Sequence, residues 1–287
     1  GGLGQFLGNV SQIDSLLADP STSVAASIDN FFAAVNGVAN NPSAIEARQL
    51  LLTQTNLMLD RLDAADAKLT NQSSSLNSQL SSSARAVTTL GKEIAELNLA
   101  IASAQGVSNG SQPNDLLDRR DTLVRDLSDL VDVRTTVQND MSMNVFIGEG
   151  QGLVIGMSAA TLVSVPNSSD PSVLDLAFLD RNEVQVVTKQ LTGGQLGGAL
   201  RFREEALNPA INGLGRIVLA VTDSMNQQQR LGVDLEGNLG QSIFADINNA
   251  QFAQSRVKSD GNNLSPPDRQ LSVRIDDLSK LSTSDYK

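Results

Sequence analysis

Counting from Ile45 in alternating steps of three and four gives a series that stays mostly apolar as far as Ala104. Its apolar members are Ile45, Leu52, Leu59, Leu62, Leu69, Leu76, Leu80, Val87, Leu90, Ile94, Leu97, Ile101 and Ala104; Arg48, Thr55, Asp66, Ser73 and Ser83 interrupt it. Only an α-helix brings residues at that spacing onto one continuous stripe. A helix of this length extends roughly 90 Å at ~1.5 Å per residue, so the spacing predicts a rod-like element with a helical-core seam. A start signal precedes it: Pro42, then Ser43-Ala-Ile-Glu46, arranged as a capping box. The Ser-rich stretch 73–83 has mediocre helix propensity and is the place where the helix is expected to bend or loosen.

A heptad demands a helical partner without saying which chain supplies it. The loop 106–112 is short, and Pro113-Asn-Asp115 opens another helix, expected to end near Val131. A short loop between long helices favours an antiparallel pair within the chain. Two shorter helices are expected earlier, over 11–19 and 22–39.

After Asp132 the period changes from helical to alternating. Strands are expected at 133–137, 143–147, 153–155, 161–165, near 174–178 and near 183–187, with the glycines of 148–152 making a turn. Leu207, Ile211, Leu214, Val218, Val221 and Met225 then restore helical spacing, with Pro209 kinking or restarting the helix. The expected fold is therefore mainly α with β. It comprises an elongated helical bundle over 1–240, with an antiparallel β unit inserted at 132–191 and a returning helix at about 195–231. Residues 241–287 form a connection leading into a truncated β-rich outer domain, whose first strand is expected at 271–275. Nothing in residues 1–10 has a basic start followed by an apolar run, and the abrupt ends lead us to expect further residues on both sides.

Composition narrows the chemistry. The 287 residues include no His, no Cys and no Trp. The common ligands for zinc, copper and haem, the Ser–His and Cys–His dyads, and the usual neutral-pH base are thereby removed. With 21 basic and 32 acidic residues the net charge is −11, and the basic residues are scattered, so a nucleic-acid partner is not expected. The longest apolar run, 217–221, is too short to span a bilayer.

Three local patterns invite a chemical reading and favour a structural one. The glycines of Gly193-Gly-Gln-Leu-Gly-Gly198 lack the Gly-Lys-Ser/Thr ending of a phosphate loop and read as a re-entry turn with tight backbone packing. Asp234, Glu236 and Asn238 alternate like a calcium loop, but Leu239 and Ala245 occupy the positions that need Gly and Glu, which leaves a polar β-turn. Asp118-Arg-Arg-Asp121 reads as local ion pairing on a solvated helix face. No catalytic residue, metal ligand or cofactor is assigned.

Several strings carry a resemblance. They are Ser-Gln-Ile-Asp-Ser-Leu-Leu-Ala-Asp (11–19), the helix with Phe31-Phe32, Asn-Pro-Ser-Ala-Ile-Glu-Ala-Arg-Gln (41–49), Pro-Asn-Asp-Leu-Leu-Asp-Arg-Arg-Asp (113–121) and Gly-Gly-Gln-Leu-Gly-Gly-Ala-Leu-Arg-Phe-Arg (193–203). The helix end 226–232, the turn 234–240 and Ser-Thr-Ser-Asp-Tyr (282–286) follow in order. The chain thereby resembles the flagellar hook-associated protein 1 family, the hook–filament junction proteins. One departure is that the family often carries a His just before the Gly at 232, where this chain has Gln227-Gln-Gln-Arg230. The resemblance implies a structural, non-enzymatic axial building block exported through the flagellar type III apparatus without a cleaved signal peptide, located outside the cell. Its implied partners are the hook protein, the second junction protein, copies of itself and an export chaperone that binds a C-terminal segment beyond these residues. Its subunit-interface residues stay unassigned. The alternative is a related secreted or adhesin-like protein that binds host surfaces through β-domain loops.

Overall fold

The apolar series becomes a single helix. In the computed structural model, which describes residues 2–4, 6–8, 10–11, 23–107, 113–180, 183–234, 236–256 and 273–278, α1 spans Val24–Asn40 and α2 spans Ile45–Val107. Ser23 caps α1 by accepting from Ala26 N at 3.4 Å. α2 starts without the expected capping box: the Ser43 hydroxyl turns back to Asn41 Oδ1, and Arg48 holds Pro42 O. The Ser-rich stretch does not interrupt the helix. Hydroxyls of Ser78 and Ser82 return to carbonyls of the preceding turn, and Ser83 is buried. The helix expected at 11–19 falls mostly outside the described residues.

The buried face of α2 departs from a strict heptad, and between Ser83 and Ala95 it widens to adjacent buried pairs at 83/84, 87/88 and 94/95. It runs Met58, Leu62, Ala65, Leu69, Leu76, Leu80, Ala84, Val87, Gly91, Ile94, Asn98, Ile101. The steps are three and four except at Leu69–Leu76, a step of seven, and at Leu76–Leu80–Ala84, where two steps of four follow one another. That stutter keeps the stripe on one side of a helix with 3.6 residues per turn, which otherwise drifts about 20° per heptad.

The chain divides into two compact units. One comprises Gly1–Asp19, Thr70–Asn167 and Pro171–Leu207; the other comprises Pro20–Leu69, Ser168–Asp170 and Asn208–Lys287. In the first unit, α3 (Asn114–Leu130) leads into β1 (Val133–Val137), β2 (Met143–Ile147), β3 (Gln151–Ile155) and β4 (Ser158–Ala159), a four-stranded antiparallel sheet in sequential order. A second antiparallel sheet follows with β5 (Thr161–Pro166), β6 (Leu174–Asp180) and β7 (Glu183–Val186). The β insertion is thus two sheets where one β unit was expected. Met143, Val145 and Ile147 alternate inward on β2, while Leu176, Ala177 and Phe178 are all buried on β6. Gly91 lets β3 approach α2, because a Cβ there would sit 3.1 Å from the Leu153 side chain. A 3-10 turn at Thr188–Gln190 returns the chain to α4 (Gly194–Phe202).

In the second unit, Phe31 of α1, Met58 and Leu62 of α2, and Val221 and Met225 of α5 (Asn208–Leu231) form one apolar cluster, with Phe244 against it. A π-helical turn, Arg203–Leu207, separates α4 from α5, so Pro209 falls in the first turn of a restarted helix, where a missing N–H is tolerated. The strand expected at 271–275 is not formed by its described part. Instead Val273 N donates to Ala253 O of the short α6 (Ala250–Ser255), and Asn248 exchanges two hydrogen bonds with the backbone of Ile275. These residues are claimed by side-chain and helix partners, which outcompete an unpaired strand. Among the described residues, no helix is long and apolar enough to cross a membrane.

Candidate functional site

The densest arrangement of buried polar groups lies where α2 meets the two sheets. Three side chains of α2 imitate the edge of a neighbouring strand. Asn98 accepts from Met143 N at 3.0 Å and donates to Met143 O at 2.8 Å, with a further donation to Gly156 O at 2.6 Å. Thr88 accepts from Leu162 N and donates to Leu162 O, both at 2.9 Å. Asn77 accepts from Leu174 N and donates to Ser172 O. Backbone groups facing a helix would otherwise be buried without partners, which costs about 1–3 kcal/mol each. Replacing the Thr88 hydroxyl with a methyl, Thr88→Val, should therefore destabilise the chain by about 2 kcal/mol without changing its helix content, as measured by urea unfolding followed by far-ultraviolet circular dichroism.

Arg120 of α3 completes the arrangement. It is buried, and its Nη1 donates to Asn98 Oδ1 at 3.1 Å and to Met141 O at 2.7 Å. Met141 itself has a positive φ of 62°. This corrects the expectation for Arg120, which is spent on a carbonyl and an amide; Asp118, Arg119 and Asp121 are exposed. Burial lowers the Arg120 pKa from the ordinary value, with the charge of Asp121 opposing. Its Nε is the only buried side-chain polar atom without a hydrogen-bond partner among the described residues. Arg203 plays a similar part on the second sheet, donating to Leu174 O at 2.6 Å with Asp175 at 3.9 Å; burial lowers its pKa while Asp175 and Glu204 oppose. Periodicity could not show either role, because a buried Arg and a surface Arg occupy the same kinds of helical position.

The residues of the expected seam separate into three groups. Leu62, Leu69, Leu76, Leu80, Val87, Ile94 and Ile101 are buried; Leu90 and Leu97 are half-buried; Ile45, Leu52 and Leu59 are exposed. The exposed three correct the expectation of a core seam at the N-terminal end of the helix. Ile45 and Ile101 stand eight heptads apart, so a straight helix turns them about 160° from one another.

The turn at 234–240 is polar and closed on itself, as its sequence indicates. Asp234 Oδ1 accepts from the backbone N–H groups of Glu236 and Asn238, and Oδ2 accepts from the Asn238 side chain. The Asn238 side-chain bond, followed by its backbone N–H, holds the Asp234 carboxyl below the usual carboxylate range. A depressed folded pKa means that the stabilisation is present above the unfolded pKa and is lost as pH falls through the folded one. The Asn238 amide resonance should accordingly titrate with a midpoint below about 3.9 in acid NMR titration. Among the described residues no group of three or more Asp or Glu is placed to hold a metal ion.

These polar groups fasten strands to a helix and close a turn. Residues 10–244 match the family described as the flagellar hook-associated protein FlgK helical domain. The chain is 34% identical over 280 residues to flagellar hook-associated protein 1 of Salmonella typhimurium and 31% identical to that of Escherichia coli strain K12, in each case across 97% of this chain. It spans about half the length of these curated relatives, 49% and 50% respectively. The solved structure of the flagellar hook junction protein FlgK from Burkholderia pseudomallei superposes with a TM-score of 0.79 at 34% identity, covering 85% of this chain and 44% of that one. The chain belongs to the flagellar hook-associated protein 1 family.

Proposed function

We propose that this chain is part of a structural axial protein of the bacterial flagellum that joins hook to filament outside the cell, and that it is not an enzyme. The observation that carries this reading is the match over residues 10–244 to the family's helical domain, together with a site whose buried polar groups are engaged in holding strands to helices. The end of that match near residue 244 supports a helical domain over 1–240, with 241–287 leading toward an outer domain. The partners proposed are the hook protein, the second junction protein, further copies of the chain, and an export chaperone acting on a segment beyond these 287 residues. Deleting the gene from its own cells tests the reading. Hooks without filaments, with filament protein released into the medium, are the expected result; normal filaments would overturn it.

A further inference from the structure

The second compact unit carries two bare apolar surfaces. Leu231, at the end of α5, is 81% exposed; Val233 and Leu239 are 68% and 69% exposed and stand opposite one another across an isolated antiparallel bridge. Directly opposed residues share one face of a hairpin. This hairpin is firmly built: beyond the three bonds to Asp234, Gly240 N donates to Gly232 O at 2.9 Å. A Cβ at Gly240 would fall 2.0 Å from Gln229 O, so the returning strand lies against the end of α5. Large apolar side chains held out by a closed polar turn mark an interaction surface.

The second surface is the start of α2. Ile45 and Leu52 are 65% and 66% exposed and stand seven residues apart on one helical face, with Arg48 between them. The Arg48 Nε and Nη2 both donate to Pro42 O, which fixes the guanidinium at the N-terminal end of this face. Among the described residues, neither Arg48 nor the exposed Glu236 of the hairpin has an ion-pair partner.

We propose that the hairpin at 231–240 of one copy docks on the Ile45–Arg48–Leu52 face of a second copy, with Glu236 set against Arg48. The inference rests on the axial-subunit reading above. Charge decides between the ways two copies could bury these surfaces. Hairpin against hairpin brings Asp234 and Glu236 onto their own duplicates, and helix against helix brings Arg48 onto Arg48. Arg230, at the base of the hairpin, is already held by Asp246 and Ser242, so among the described residues only hairpin against helix pairs opposite charges that lack an ion-pair partner. Such a contact uses different patches on the two copies, and heterologous contacts generate rings or helical arrays.

Site-directed cross-linking tests this in flagellated cells. Two forms of the full-length protein, each free of other cysteines, carry Leu52→Cys or Leu239→Cys; one bears a size tag, and both are produced together. Isolated flagella are then oxidised. The expected product contains one copy of each form. It should fall several-fold with Arg48→Glu in the Leu52→Cys form and recover when Glu236→Arg is added to the Leu239→Cys form. Both forms present in motile cells' flagella without mixed cross-links, or cross-links only between like forms, would overturn the proposal, as would a yield indifferent to both charge changes. If neither form, nor the unsubstituted protein, is found in isolated flagella, the axial reading itself fails and takes this inference with it.

Discussion

Asn98→Leu should cost about 4 kcal/mol of stability, because one side chain satisfies several buried polar groups. The Asn98 amide is wholly buried and serves Met143 N, Met143 O, Gly156 O and the Arg120 guanidinium at once. Leucine fills similar space and satisfies none of them. Met143 N and its carbonyl are left facing an apolar side chain, and Arg120 keeps only its bond to Met141 O. A buried cation with a missing partner is more costly than a pair replaced together. Asn98→Leu combined with Arg120→Leu should therefore cost less than the two single changes added. Chemical unfolding followed by far-ultraviolet circular dichroism measures all three variants, since the chain has no Trp to report by fluorescence. Strict additivity would mean that Asn98 and Arg120 do not act as one unit.

What could be read in the sequence was whatever repeats. The long helix, the six strands of useful length and the restarted helix that carries Pro209 all show a period that their neighbours share, so local pattern and fold agree. The polar contacts had no such signal. Asn77, Thr88 and Asn98 look like ordinary surface positions on a helix until the sheets exist to need their amides and hydroxyls. Arg120 illustrates the same limit more sharply. Its carboxylate neighbours at 118 and 121 suggest a solvated face, and only the fold reveals that it points at Met141 O and Asn98 instead. The exposed Ile45 and Leu52 were hidden by the opposite error: a strict heptad carries them into the seam, whereas the true stripe follows 3.6 residues per turn. At 271–275 an alternating pattern over so few residues outweighed nothing, and the described part is tied to Asn248 and α6.

Gly194 and Gly156 have nearly the same positive φ, 55° and 59°, yet substitution should affect them very differently. An alanine in the left-handed region pays roughly 1–2 kcal/mol for its conformation. At Gly156 that is all, because a Cβ there meets nothing within 4 Å; Gly156→Ala should cost about 1 kcal/mol. At Gly194 the same Cβ would lie 2.3 Å from both Leu130 C and Val131 N, at the point where α3 ends and the chain turns toward β1. Those are backbone atoms, and they cannot swing aside as a side chain would. The closing bonds at that junction, Val131 N to Leu127 O and Asp132 N to Thr192 O, leave the segment little freedom to retreat. Gly194→Ala should therefore cost about 4 kcal/mol, the left-handed strain plus the displacement of a packed backbone. The difference between the two alanines isolates the clash, and equal losses in unfolding measurements would show that α3 and α4 are not held at this distance.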